Sequence, residues 1–186
     1  MFTGWYRSEW NKELESELKR VNPEARLVSA EYGDPYNYMK GPIHVVLKYE
    51  VPDYAIDGGN VMIFKSFIAD GFLKRAMSHL YMDTRLENRQ YPFRDRCSRL
   101  VQLEDNITLP GSFTVQSIPK AEPFSDTTAS ANCRYELSAD GKSLNMTQDL
   151  RFDKRIYQAS EWPSYRRAVM EQEKFAEEPV ILKKSN

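Results

Sequence analysis

Two stretches of alternating residues, placed on either side of Asp140-Gly141, limit this chain more than any other feature. The first sets Ala129, Ala131, Cys133, Tyr135 and Leu137 on one face and Thr128, Ser130, Asn132, Arg134 and Glu136 on the other. The second interleaves Leu144, Met146, Leu150, Phe152 and Ile156 with Asn145, Thr147, Asp149, Arg151 and Asp153. Successive side chains of a strand point to opposite faces, so a period of two marks half-buried strands. An Asp-Gly pair tolerates the positive φ of a two-residue loop, and the whole stretch therefore reads as a hairpin. Its apolar face needs a covering layer, because two strands alone are marginal in water.

The flanking sequence offers that layer. Trp10, Leu14, Leu18 and Val21 recur at helical spacing, which predicts a helix from about Trp5 to Val21 with Thr3 as its cap. Asn22-Pro23 stops it, since the residue before proline is pushed out of the α region. Leu27 to Tyr32 reads as a short strand. Ile43, Val45, Leu47, Tyr49 and Val51 line one face of a clearer one, and Val61 to Phe64 forms another. The stretch from Phe67 to Met82 fits both a helix and a loop. Cys97 to Leu103, Asn106 to Leu109 and Phe113 to Ile118 read as strands. Ser160 then caps a second helix that tolerates Pro163 in its first turn, with Trp162, Tyr165 or Arg166, Val169 and the stem of Glu173 on a narrow buried stripe. Val180 to Leu182 forms a last strand after Glu178-Pro179. The sum is a mainly β chain: a β-sandwich of about eight or nine antiparallel strands with an N-terminal and a C-terminal helix packed on it. It is expected to be one domain over residues 1–186, with a possible sub-boundary near 88–93, where Tyr91-Pro92-Phe93 breaks the pattern.

Composition narrows the function classes. With 26 Lys and Arg against 27 Asp and Glu, the net charge is −1, so no broad field favours nucleic acid or an anionic membrane. Arg94, Arg96, Arg99 and the pair Arg166, Arg167 read as solvated faces rather than phosphate sites. No apolar run is long enough to span a bilayer. The start, Met-Phe-Thr-Gly-Trp, has no basic region followed by an apolar core. Two cysteines are too few for a disulfide scaffold. Each falls on the apolar face of an expected strand, which suits buried free thiols; a Cys97–Cys133 bridge is the alternative and needs the two strands to be neighbours.

No catalytic constellation emerges. A papain-like nucleophile is a thiolate held at a helix start beside a histidine, whereas Cys97 and Cys133 both sit in strand-like sequence. His44 lies on the polar face of a strand, His79 in the ambiguous segment, and the four residues lack zinc-ligand spacing. No metal site and no cofactor are therefore expected. Asp53, Asp57, Gly58, Gly59 and Asn60 match no calcium-loop spacing and read as an acidic turn. The aromatic residues are more suggestive. Tyr32, Tyr36, Tyr38, Tyr49 and Tyr54 crowd one region, and Tyr36, Tyr38 and Tyr54 are the candidates for an exposed surface that stacks on sugars or anchors a protein partner. Core and loop packing is the plainer account of them.

Five short motifs carry a family resemblance: Leu150-Arg151-Phe152, Trp162-Pro163-Ser164-Tyr165, Val180-Ile181-Leu182-Lys183-Lys184, Arg89-Gln90-Tyr91-Pro92-Phe93 and Ile107-Thr108-Leu109-Pro110-Gly111. Over most of residues 85–184 this resembles the extreme C-terminus of multidomain bacterial transglutaminase-like proteins. In that family a β-rich N-terminal domain precedes a papain-like transglutaminase core, and a second β-rich domain of unknown function closes the chain. The resemblance implies a noncatalytic accessory module, docked on the upstream core or binding a polypeptide partner, in an extracytoplasmic protein of the periplasm or cell envelope. It carries no catalytic triad onto these residues, because the triad belongs to the core. A carbohydrate-binding sandwich is the alternative, resting on the tyrosine-rich loop.

Overall fold

A computed structural model describes residues 6–34, 41, 43–69 and 82–185. It is mainly β, with antiparallel strands and two α-helices, as expected. Twelve strands occur among the described residues, more than the eight or nine read from alternation, because four are two-residue pairings too short to carry a pattern. The described residues divide into two compact units, one reaching Tyr54 and one beginning at Ala55. The sub-boundary expected near 88–93 falls inside the second unit.

In the first unit, helix α1 (Trp10–Val21) lies beside a hairpin of β1 (Arg26–Tyr32) and β2 (Val45–Glu50). Trp10, Leu14 and Leu18 are buried at the spacing that predicted the helix, and Trp10 meets Tyr32 edge to face at 4.9 Å. The Tyr32 hydroxyl donates to Asn11 Oδ1 at 2.7 Å, tying strand to helix. Thr3 lies outside the described residues; the described start is a 3₁₀ turn, Arg7–Glu9, whose Glu9 carboxylate accepts the Tyr6 N–H. Asn22 leaves the helix in an extended conformation, as its proline neighbour requires.

The second unit is built on the hairpin. Strand β6 (Arg99–Thr108), β9 (Ala129–Leu137) and β10 (Ser143–Phe152) join β8 (Phe124–Ser125) in a sheet of order β6-β10-β9-β8. Its register sets Leu150 against Ala131 and Val101, and Met146 against Tyr135 and Asp105, so one face is apolar but for Asp105 and Gln148. The connection from β9 to β10 runs over residues 138–142 rather than as a two-residue turn. Gly141 supplies the positive φ of 69°, while Asp140 accepts from the Ser138 hydroxyl and the Lys142 N–H. Those bonds, the Ser138 hydroxyl first, hold its carboxyl below the usual range.

Two bodies cover that apolar face. Helix α2 (Trp162–Glu177) buries Trp162, Tyr165, Ala168, Val169, Gln172 and Phe175, a wider stripe than the one expected. A second sheet of order β3-β4-β12-β7 holds β3 (Ile56–Asp57), β4 (Val61–Phe64), β12 (Val180–Lys184) and β7 (Phe113–Ser117). One core gathers Ala129, Ala131, Leu150 and Phe152 with Trp162, Tyr165 and Val169 of the helix, and with Phe93 and Tyr157. Those two rings belong to β5 (Phe93–Arg94) and β11 (Ile156–Tyr157), which pair with each other. The other core sets Cys133, Tyr135, Leu144 and Met146 against Phe175, Val180 and Leu182. Leu137 and Ile156, expected inside, are 49% and 58% exposed, because each lies where its strand leaves the covering layer.

Candidate functional site

The two cysteines part company. Both are free. Cys133 lies inside β9, and burial pushes its thiol up to about 12. Such a thiol stays protonated and is a poor nucleophile. Cys97 is exposed and precedes β6, which corrects the expectation that it lies on an apolar strand face. The β6 residue level with Cys133 is Leu103, reached through Gln148 of β10. Cys97 is two strands away and several residues further along, well beyond the ~4.4–6.8 Å Cα separation that a disulfide spans. His44 is exposed, and His79 lies outside the described residues.

The tyrosine candidates divide in the same way. Tyr36 and Tyr38 lie outside the described residues. Tyr54 is half-buried and already engaged with a neighbour. The acidic turn reads as expected: Asp57 Oδ1 accepts the Gly59 N–H at 2.8 Å, and Gly59 takes the positive φ of 79°. Among the described residues no group of three or more His, Cys, Asp or Glu side chains is placed to hold a metal. No helix among them is long and apolar enough to cross a membrane.

The arginines are not simply solvated. Arg99 has only 6% of its side chain exposed and donates to Asp95 Oδ1 at 2.5 Å, while Asp95 also accepts from the Tyr165 hydroxyl at 2.9 Å. That buried cluster pins β6 to α2, and burial together with the Asp95 charge raises the Tyr165 pKa. Arg166 donates to the Thr84 carbonyl at 2.6 Å, and the Trp162 indole N–H to the Leu86 carbonyl at 2.7 Å. Arg89 stacks at 4.1 Å over the Trp162 ring and 4.7 Å over Phe93. Residues 84–89 are thus strapped along α2 by cations and one indole, and these groups have a structural use.

A polar band missed by the alternation argument crosses the inner face between the two cores. Asp105 accepts from the Ser66 hydroxyl at 2.8 Å, and both residues are buried. Gln148 is fully buried, opposite Cys133, and among the described residues neither end of its amide has a hydrogen-bond partner. The missing entry in the apolar series Leu144, Met146, Leu150 is the sequence signal for it. The outer face of the same sheet is polar in ordered rows: Asn106, Asn145 and Glu136; Glu104, Thr147 and Arg134; Gln102, Asp149 and Asn132. Gln102 donates to Asp149 at 2.9 Å and Asn145 to Glu104 at 3.1 Å.

Taken together, the described residues are mainly β, with a buried cysteine that is inert and polar groups that serve packing or line the outer face of a sheet. The chain belongs to a family described as a domain of unknown function with a solved structure, DUF3858, whose model matches residues 61–182. The described residues of that match all lie inside the second unit. The fold is similar to that in the crystal structure of a candidate protease from Parabacteroides distasonis ATCC 8503, with a TM-score of 0.55 at 10% identity. The likeness covers 70% of this chain and 24% of that one, so the chain spans about a quarter of the length of that protein. No curated protein matches the sequence.

Proposed function

We propose that this chain is a noncatalytic accessory module of a transglutaminase-like protein, docking on a papain-like core or holding a polypeptide partner. The observation that carries the reading is the likeness of 70% of the chain to a 24% portion of a larger, candidate proteolytic protein. The residues agree with a binding role. The buried thiol is held protonated, and the arginines that would otherwise invite an anion are occupied by Asp95, by backbone carbonyls and by aromatic rings. The same reading puts the parent protein in a bacterial envelope compartment.

The test is a mixing experiment with the catalytic domain encoded in the parent reading frame. Association by analytical ultracentrifugation, or a rise of the core's melting temperature on adding this chain, is the expected result. Neither association nor a stability change would count against docking. An active parent enzyme whose catalytic cysteine proved to be Cys97 or Cys133 would remove the noncatalytic reading altogether.

A further inference from the structure

We propose that β6 is the docking edge of this module, and that its occupant is an extended segment of a separate polypeptide, with basic residues alternating with apolar ones, which adds as a further antiparallel strand. This rests on the polypeptide-binding reading above and names how the partner is held. A strand at the border of a sheet presents a row of backbone N–H and C=O groups that another strand can complete, and folded proteins blunt such borders with shortness, bulges, proline or lysine. The second unit blunts its other borders. Strands β8 and β3 are two residues long, and β7 meets β12 through a register shift opposite Ile181 and Leu182. Strand β6 differs on every count. It runs ten residues, keeps unbroken register with β10 from Arg99 to Thr108, contains neither proline nor lysine, and among the described residues pairs on one side only.

Its side chains specify the occupant. On the inner face Val101, Leu103 and Ile107 are only half-buried, so an added strand with apolar residues there extends the covered layer. On the outer face Leu100 is 53% exposed, and Gln102, Glu104 and Asn106 follow it. Glu104 and Asp149 make this margin acidic, and Arg151 opposite Leu100 is already paired with Asp153. Lysine or arginine beside Glu104 is therefore favoured, since opposite charges across a strand pair stabilise it. A second copy of the chain is disfavoured by the same rule, because antiparallel self-pairing near the middle of β6 brings Glu104 against its own counterpart. The inward charge of Asp105, another blunting device, is occupied by Ser66 and lies to one side of the Val101–Leu103 stretch.

The experiment uses the full chain and three end-capped ten-residue peptides of alternating valine and lysine: one unmodified, one N-methylated at every valine and one at every lysine. The three carry equal charge, but each methylated peptide has lost the hydrogen-bonding capacity of one edge. Strand addition predicts saturable binding of the unmodified peptide. One methylated form should bind about equally and the other at least about tenfold more weakly, since only one edge faces β6. Alternate amides of β6 should gain hydrogen-exchange protection, and Glu104→Lys should weaken binding several-fold without loss of folding. Equal binding of all three peptides would reduce the interaction to charge and overturn the proposal. Backbone-dependent binding that protects a strand other than β6 would overturn it while leaving the polypeptide-binding reading standing. A chain that sediments as a dimer with β6 already protected would give the edge to a second copy and overturn it too. No peptide binding, beside a positive mixing experiment with the core, would sink the strand-addition mode alone.

Discussion

A buried amide at the centre of a largely apolar sheet face is unfavourable unless its hydrogen bonds are made, and the side-chain amide of Gln148 makes none among the described residues. Gln148→Met keeps the volume and removes the unpaired groups, so stability should rise by about 1–2 kcal/mol. A urea midpoint that falls instead would show that the amide is satisfied in solution by an ordered water. Its neighbour Cys133 makes a second prediction, this one on pH. The native thiol titrates at about 12 because it is buried. The unfolded thiol ionises near ~8.5, so above that pH the unfolded chain binds fewer protons than the native one. This group therefore leaves stability unchanged below about pH 8.5 and lowers it as pH rises, with a slope of at most about 1.4 kcal/mol per pH unit. The raised Tyr157 and Tyr165 add to the loss at higher pH in the same direction. Urea titrations at pH 7, 9 and 10 on the protein and on Cys133→Val check this: the variant should show a shallower decline between pH 9 and 10.

At the scale of elements, the amount that was legible depended on how many residues repeated a signal. The hairpin of β9 and β10 and the helix α1 were readable because each repeats its period several times, and their buried residues are those the period selects. The two-residue strands were not, since a pair of residues has no period; β5 and β11 exist because Phe93 stacks on Tyr157 at 5.1 Å, a contact made across the fold. The split of β6 into two predicted pieces came from Glu104 and Asp105, whose adjacent charges interrupt the alternation. Asp105 points inward all the same, because Ser66 bonds its carboxylate. The α2 stripe is wider than its apolar spacing predicts for a similar reason: Gln172 is polar yet buried, and Phe175 extends the face beyond it. For the candidate site, the alternation placed Cys133 correctly indoors, but it misplaced Cys97, which sits ahead of the strand where alternation no longer governs exposure. The loss of a solvated role for Arg99 could not be read either, since its partner Asp95 and the Tyr165 hydroxyl come together only in the tertiary fold.

For the molecule as a whole, both cores close within the second unit: all their buried members among the described residues lie between Ala69 and Leu182. A fragment beginning at Ala55 should therefore fold by itself, with dispersed amide resonances and a cooperative urea transition. A collapsed fragment without fixed side-chain signals would mean that the preceding residues complete the core. Within that unit, β12 lies between β4 and β7, pairing with both. Both partners leave the ribosome long before the strand that separates them. During synthesis they can only wait, apart and half-dressed, until β12 arrives to be threaded between them. A nick or premature stop just before Val180 would thus pull out a keystone, and until β12 has been made the nascent chain leaves both waiting strands open to proteases and stray partners.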